Sequence, residues 1–164
     1  MEEEKEFRTV RGYQLLGRNQ RLITPAMEDY LEMIYRHMLA EDYIRINTLS
    51  GLLNVSPPSA TKMVQKLARF GLIHYRKYGI ISLTETGLTI GEYLLHRHVV
   101  LETFLKNLGV TRNLLIETEL IEHSISPNSL HRLDLLNAFL AENPEIAQKL
   151  QAFLDGRTDE PPPV

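Results

Sequence analysis

Apolar residues recur along this chain at helical spacing for most of its length and at strand spacing in one short stretch. Met27, Tyr30, Leu31, Ile34 and Met38 form one stripe, and Thr24-Pro25 supplies a capping hydroxyl followed by proline at the first helical position. A first helix is therefore predicted from Thr24 to near Ala40. A short second helix, Thr48 to Leu53, should turn Ile46, Leu49, Leu52 and Leu53 inward, before the tight break NVS. Ser56-Pro57 opens a third helix that runs to Phe70 and stops at Gly71. The segment LIHYRKYGIISLT then alternates around a KYG turn, which predicts two short strands closing a hairpin.

Beyond the hairpin the period is helical again. Thr84 opens a long helix with Ile90, Leu94, Leu101, Phe104, Leu105 and Leu108 among its apolar positions and Gly109 as its stop. Thr111 begins the next helix, Ser126-Pro127 another, and Asn143-Pro144 a last one, followed by Gly156 and the polar, proline-rich tail RTDEPPPV. The first 23 residues lack a clear period and read as an extension. There is no internal repeat. The predicted class is mainly α with a small β-hairpin.

Composition narrows the function. A chain of 164 residues with 43% hydrophobic content can build a real core. No apolar run approaches the roughly 20 residues that span a bilayer, and the start MEEEKEFRTV is acidic where a signal peptide is basic and then apolar. A cytoplasmic protein without a membrane partner is expected. Cysteine is absent, which excludes disulfide scaffolds, zinc ribbons, iron-sulfur clusters and thiol nucleophiles, and leaves only oxygen and imidazole ligands for a metal.

The net charge of -3 hides a strong asymmetry. Between Asp42 and Glu85 there is no acidic residue, while Arg45, Lys62, Lys66, Arg69, Arg76 and Lys77 give that segment +6 and leave the remainder at -9. One basic module inside an acidic chain points to a polyanion for the module and to cations for the rest.

Three helices with a tight turn between the second and third, then a hairpin, is the order of a winged helix-turn-helix. In the third helix Lys62, Gln65, Lys66 and Arg69 form a polar stripe opposite Ala60, Met63, Val64 and Leu67. Long cationic and amide side chains on one face suit base edges and phosphates in the major groove. Ser56, Ser59 and Thr61 are small enough to let the helix start approach the DNA backbone, and Arg76 and Lys77 at the hairpin tip would touch backbone nearby. These nine residues are the expected DNA-binding set.

The stretch ETELIEHSIS places Glu119, Glu122 and His123 three and four apart, on one face of a helix. Acids at such spacing ordinarily form a solvated face. Asp29 and Glu32 are likewise three apart beside the first apolar stripe, and His98 lies between Leu94 and Leu101, on the border of an apolar face. Taken together, MEDYLE, HRH and ELIEH resemble the manganese-responsive regulators of the diphtheria-toxin-repressor family. The resemblance covers Thr24 to about Leu140, and TPAMEDYLEMIY, TKMVQKL and IEHSIS are its most specific stretches.

That resemblance implies a winged-helix domain, a helical dimerisation domain and a site for two metal ions. It implies domains at 24–84 and 85–155, flanked by the extension 1–23 and a flexible tail 156–164. The implied ligands are Asp29, Glu32, His98, Glu119, Glu122 and His123. One ion would take Asp29, Glu119, Glu122 and His123, the other Glu32, His98, Glu119 and Glu122, the last two carboxylates bridging. Iron-sensing relatives carry methionine in place of Asp29 and cysteine in place of Glu119, so the carboxylates here suit the harder Mn2+, with other divalent cations able to substitute. The implied partners are a double-stranded DNA operator and a second copy of the chain.

The chain departs from the family pattern in a His98 to Glu119 segment one residue shorter than in well-known members. Ser124 stands where some have a second histidine, and the N-terminal extension and missing SH3-like third domain set it apart further. Two other readings compete with this one. A winged-helix regulator not gated by metal, sensing a small organic ligand or binding constitutively, would leave the acids as surface. A carboxylate-bridged metalloenzyme wants paired Glu-x-x-His motifs on separate helices, and neither these nor HExxH occurs, so no enzyme is expected.

Overall fold

The computed structural model describes residues 23–157. Nearly all of the predicted extension and of the tail therefore lies outside the described residues. Within them the chain forms seven α-helices and one three-stranded antiparallel sheet. The order is α1 (Pro25–Met38), β1 (Ile44–Arg45), α2 (Ile46–Leu52), α3 (Pro57–Arg69), β2 (Ile73–Arg76) and β3 (Ile80–Leu83). It continues with α4 (Glu85–Asn107), α5 (Leu114–Glu122), α6 (Pro127–Glu142) and α7 (Pro144–Asp155). Two compact units divide between His96 and Arg97, inside α4.

In the N-terminal unit, α1 to α3 pack with the sheet around Met27, Leu31, Ile34, Ile44, Leu49, Val64, Leu67, Leu72 and Ile81, all fully buried. Each such side chain contributes roughly 1.5–3 kcal/mol relative to exposure. β3 is the central strand, with the order β1-β3-β2. The hairpin register pairs Arg76 with Ile80, so Lys77–Gly79 form its tip as one 3-10 turn. Both Tyr78 (φ 64) and Gly79 (φ 71) are left-handed there.

Several local expectations are corrected. Thr24 holds the N-cap position of α1, yet its hydroxyl does not cap; its carbonyl accepts from the amides of Met27 and Glu28 instead. Leu52 points outward at 50% exposure and Ser50 is buried in its place. The helical period explains this: Ile46, Leu49, Ser50 and Leu53 share an arc that Leu52 falls outside. The sheet also gains β1, a two-residue strand too short to announce itself by alternation. Ser56 does cap α3, its Oγ accepting from the Ser59 amide at 3.4 Å, and Gly71 ends the segment at φ 68. Thr84 joins hairpin to α4: its Oγ1 donates to the carbonyl oxygen of Gly71 at 2.7 Å and accepts from the Gly87 amide at 3.0 Å.

In the C-terminal unit, Val100, Leu101, Leu105, Leu130 and Leu140 are buried. Asn137, also buried, ties α6 to α4: its Nδ2 donates to the Val100 carbonyl at 2.9 Å and its Oδ1 accepts from Asn107 Nδ2 at 3.0 Å. α5 begins at Leu114, not Thr111, because its N-cap Asn113 is left-handed (φ 54) and interrupts the helical path. Ser126 caps α6 by accepting from the Ser129 amide at 3.2 Å. No helix among the described residues is long and apolar enough to cross a membrane.

Candidate metal centre and nucleic-acid interface

In the N-terminal unit, burial of Ala60, Val64 and Leu67 turns the opposite face of α3 outward, exposing Lys62, Gln65 and Arg69 and half-burying Lys66. At the start of this helix Ser56 Oγ and Ser59 Oγ lie 2.9 Å apart, both exposed, with Thr61 half-buried one turn along. Arg76 ends β2 and Lys77 starts the wing turn, both exposed. Helix α3 and the wing thus present cations with no acid between Asp42 and Glu85 to offset them. Sequence reasoning passed over Tyr78, which is 87% exposed at the wing tip.

Helix α1 carries the acidic pair of this unit. Asp29 is exposed, whereas Glu32 is buried and shares its Oε1 with Arg36, whose Nε donates at 2.9 Å and whose Nη2 lies 2.7 Å away. Arg36 was missed in the sequence, although its spacing of four from Glu32 marks the pair.

The C-terminal unit gathers a second group. His98 is 6% exposed and Glu122 is 2% exposed, and His98 Nδ1 lies 2.9 Å from Glu122 Oε2. His123 caps the end of α5 and places Nε2 3.7 Å from Glu122 Oε1. Buried Arg97 reaches the same group, with Nη2 3.4 Å from His123 Nδ1. Burial pushes the Glu122 carboxyl up, but the hydrogen bond from His98 and the charge of Arg97, joined by those of His98 and His123 when these are protonated, outweigh it and hold the group below its ordinary range. Glu119, one turn before Glu122 on α5, is exposed. The unit therefore brings together His98, Glu122 and His123, a donor set of imidazole and carboxylate that suits a hard or borderline divalent cation. Arg97 was also missed, because its contact spans 26 residues and leaves no local pattern.

The family model described as "Iron dependent repressor, N-terminal DNA binding domain" matches residues 22–81. That described as "Iron dependent repressor, metal binding and dimerisation domain" matches residues 84–151. The chain belongs to the iron-dependent repressor family. The resemblance to diphtheria-toxin-repressor regulators holds, and family membership makes the protein a metal-dependent, DNA-binding transcriptional regulator. Among the relatives of this repressor family, the HTH-type transcriptional regulator MntR of Lysinibacillus sphaericus (strain C3-41) is 42% identical over 130 residues, covering 79% of this chain and 94% of that protein. MntR of Oceanobacillus iheyensis is 45% identical over 118 residues, covering 71% and 80%. The solved structure of the manganese regulator SloR matches with a TM-score of 0.61 and 32% identity, over 69% of this chain. The chain spans 54% of the length of that structure, about half.

Proposed function

We propose that this protein is a Mn2+-activated repressor that binds an operator in double-stranded DNA as a homodimer and controls genes of manganese transport. One observation carries the reading furthest: the buried His98–Glu122 pair, with His123 beside it, lies within the segment matching a metal-binding and dimerisation domain. Relatives named MntR and a solved manganese regulator support the choice of metal.

The ligands we assign are Asp29 and Glu32 from α1, His98 from α4, and Glu119, Glu122 and His123 from α5 and its cap, for two ions per subunit. Glu119 and Glu122 would serve both ions, with Asp29 and His123 holding one and Glu32 and His98 the other. All donors are oxygen or imidazole nitrogen, and with no cysteine in the chain the set favours Mn2+ through geometry and availability, other divalent cations substituting. Bound metal supplies the positive charge that lets these carboxylates share one site. Without it these carboxylates would repel one another, and a metal taking ligands from both segments would leave less ordering entropy to be lost on binding DNA.

Ser56, Ser59, Thr61, Lys62, Gln65, Lys66 and Arg69 of α3, with Arg76 and Lys77 of the wing, form the DNA contact. Dimer formation is supported by Leu115, Ile116, Leu120 and Phe153, exposed by 56, 54, 69 and 55% in the C-terminal unit. The protein acts in the cytoplasm and performs no catalysis.

Capture of random genomic fragments from the source organism, with Mn2+ and again with EDTA at one fixed salt concentration, tests this function. Fragments held only with Mn2+ and lying upstream of transporter genes are expected. Equal capture in both would leave a winged-helix regulator that ignores metal.

A further inference from the structure

The guanidinium of Arg97 lies against a ring nitrogen of His123, a residue to which the proposed function gives a ligand role. Arg97 is 4% exposed, and its Nη2 lies 3.4 Å from His123 Nδ1. A guanidinium has donors only, so Nδ1 must accept at this contact. A neutral imidazole offers a single ring lone pair in the plane. When Nδ1 spends it on Arg97, the proton resides on Nε2, which faces Glu122 Oε1 at 3.7 Å. Neither ring nitrogen can then hold a cation. The other tautomer gives no escape, since an Nδ1–H would meet an N–H of Arg97, donor against donor.

His98 is arranged in the opposite sense. Donating from Nδ1 to Glu122 Oε2 at 2.9 Å, it carries its lone pair on Nε2, the orientation a carboxylate imposes on a ligating histidine. The two histidines of one cluster are thus in different states of readiness, and Arg97 makes the difference.

We propose that Arg97 is an internal competitor of the metal ion at His123: the guanidinium and the cation exclude each other, so loading requires release of the Arg97–His123 contact, and this exchange sets the metal concentration at which the regulator responds. The inference rests on the ligand role assigned to His123 above. Without metal, Arg97 supplies positive charge to a cluster of buried acid and imidazole; with metal, the same charge opposes a dication. The predicted effect therefore has the opposite sign to that of a supporting residue, whose loss loosens the ligands and weakens binding.

The test is titration of Mn2+ alone into the purified full-length protein at fixed pH, reading free ion by its electron paramagnetic resonance signal. Wild type is compared with Arg97→Met, Arg97→Gln and His123→Ala. Arg97→Met is expected to lower the half-saturating Mn2+ concentration by about tenfold, as loss of one hydrogen bond from a charged group implies. Arg97→Gln keeps an amide donor without the charge and should fall between wild type and Arg97→Met. His123→Ala should raise the concentration. Unchanged or weaker binding in both Arg97 variants, with His123→Ala impaired, overturns the competition. Unimpaired binding in His123→Ala overturns the ligand assignment instead. Nitrogen-15 shifts of the His123 ring in the metal-free wild type provide a readout that needs no variant to fold: Nδ1 is expected unprotonated and Nε2 protonated, and a protonated Nδ1 overturns the proposal.

Discussion

His98 Nδ1 and Glu122 Oε2 meet at 2.9 Å with both side chains buried, and this contact joins α4 to the end of α5 in the C-terminal unit. It also holds the Glu122 carboxyl below its ordinary value of 4.5 despite burial, which by itself pushes the group up. A carboxyl whose folded value is lowered adds stability above 4.5 and loses it as pH falls through the lowered value. The metal-free wild type is therefore expected to be more stable than Glu122→Gln at neutral pH, with the gap closing below 4.5. Urea unfolding of both proteins across that range measures it; a gap independent of pH would refute the assignment.

Replacement of a proposed bridging carboxylate should disable both ions together. Glu122→Gln is expected to raise the Mn2+ needed for operator binding by at least about 100-fold, more than loss of an outer hydrogen-bonding partner of a metal ligand typically does. Fluorescence anisotropy of labelled operator against Mn2+ reads this directly. A full response at the wild-type Mn2+ concentration would show that Glu122 is no ligand.

On the DNA side, residues of one stripe should separate by role. Lys62→Ala is expected to weaken binding to all sequences alike and to lower the salt slope by about 1, as loss of one phosphate contact requires. Gln65→Ala should instead relax preference at one base pair by about 1–3 kcal/mol. Binding to a panel of singly substituted operators at several salt concentrations distinguishes the two. Equal loss of specificity in both would contradict the division.

A structural control lies in α4. A Cβ at Gly87 would run into the carbonyl oxygen of Leu72, the same oxygen that accepts from the Thr84 amide and hydroxyl. Backbone on both sides leaves little room to yield, so Gly87→Ala should destabilise the N-terminal unit by about 1–3 kcal/mol. Thermal unfolding measures the loss, and wild-type stability would mean that the start of α4 does not pack against the Leu72 carbonyl.

Much of the fold was legible because proline and glycine punctuate the chain. Ser56-Pro57 and Ser126-Pro127 mark true helix starts, and Gly71 and Gly109 are left-handed at helix ends, at φ 68 and 79. What escaped depended on tertiary context. β1 exists only because β3 is there to pair with it, with Ile44 opposite Ile81. Thr111 looked like a helix start, yet the turn continues to Asn113, whose left-handed backbone no hydrophobic period reveals. At the site, Glu119, Glu122 and His123 announced themselves by spacing, but it took burial to distinguish Glu122 from exposed Glu119. Arg97 differs from Arg36 in the same way: the i,i+4 partner of an acid can be read locally, whereas a contact across 26 residues cannot.

The wing turn carries one last implication. Gly79 is left-handed at φ 71, and a Cβ there would stand 2.8 Å from Cγ2 of Ile46, the first residue of α2. The tip of the hairpin is thus fitted to a side chain far away in sequence. Exchange of wings among relatives, by recombination or by design, is not modular at this point: a graft with any other residue at 79 meets both the left-handed backbone and the Ile46 side chain, and a smaller neighbour at 46 relieves only the second.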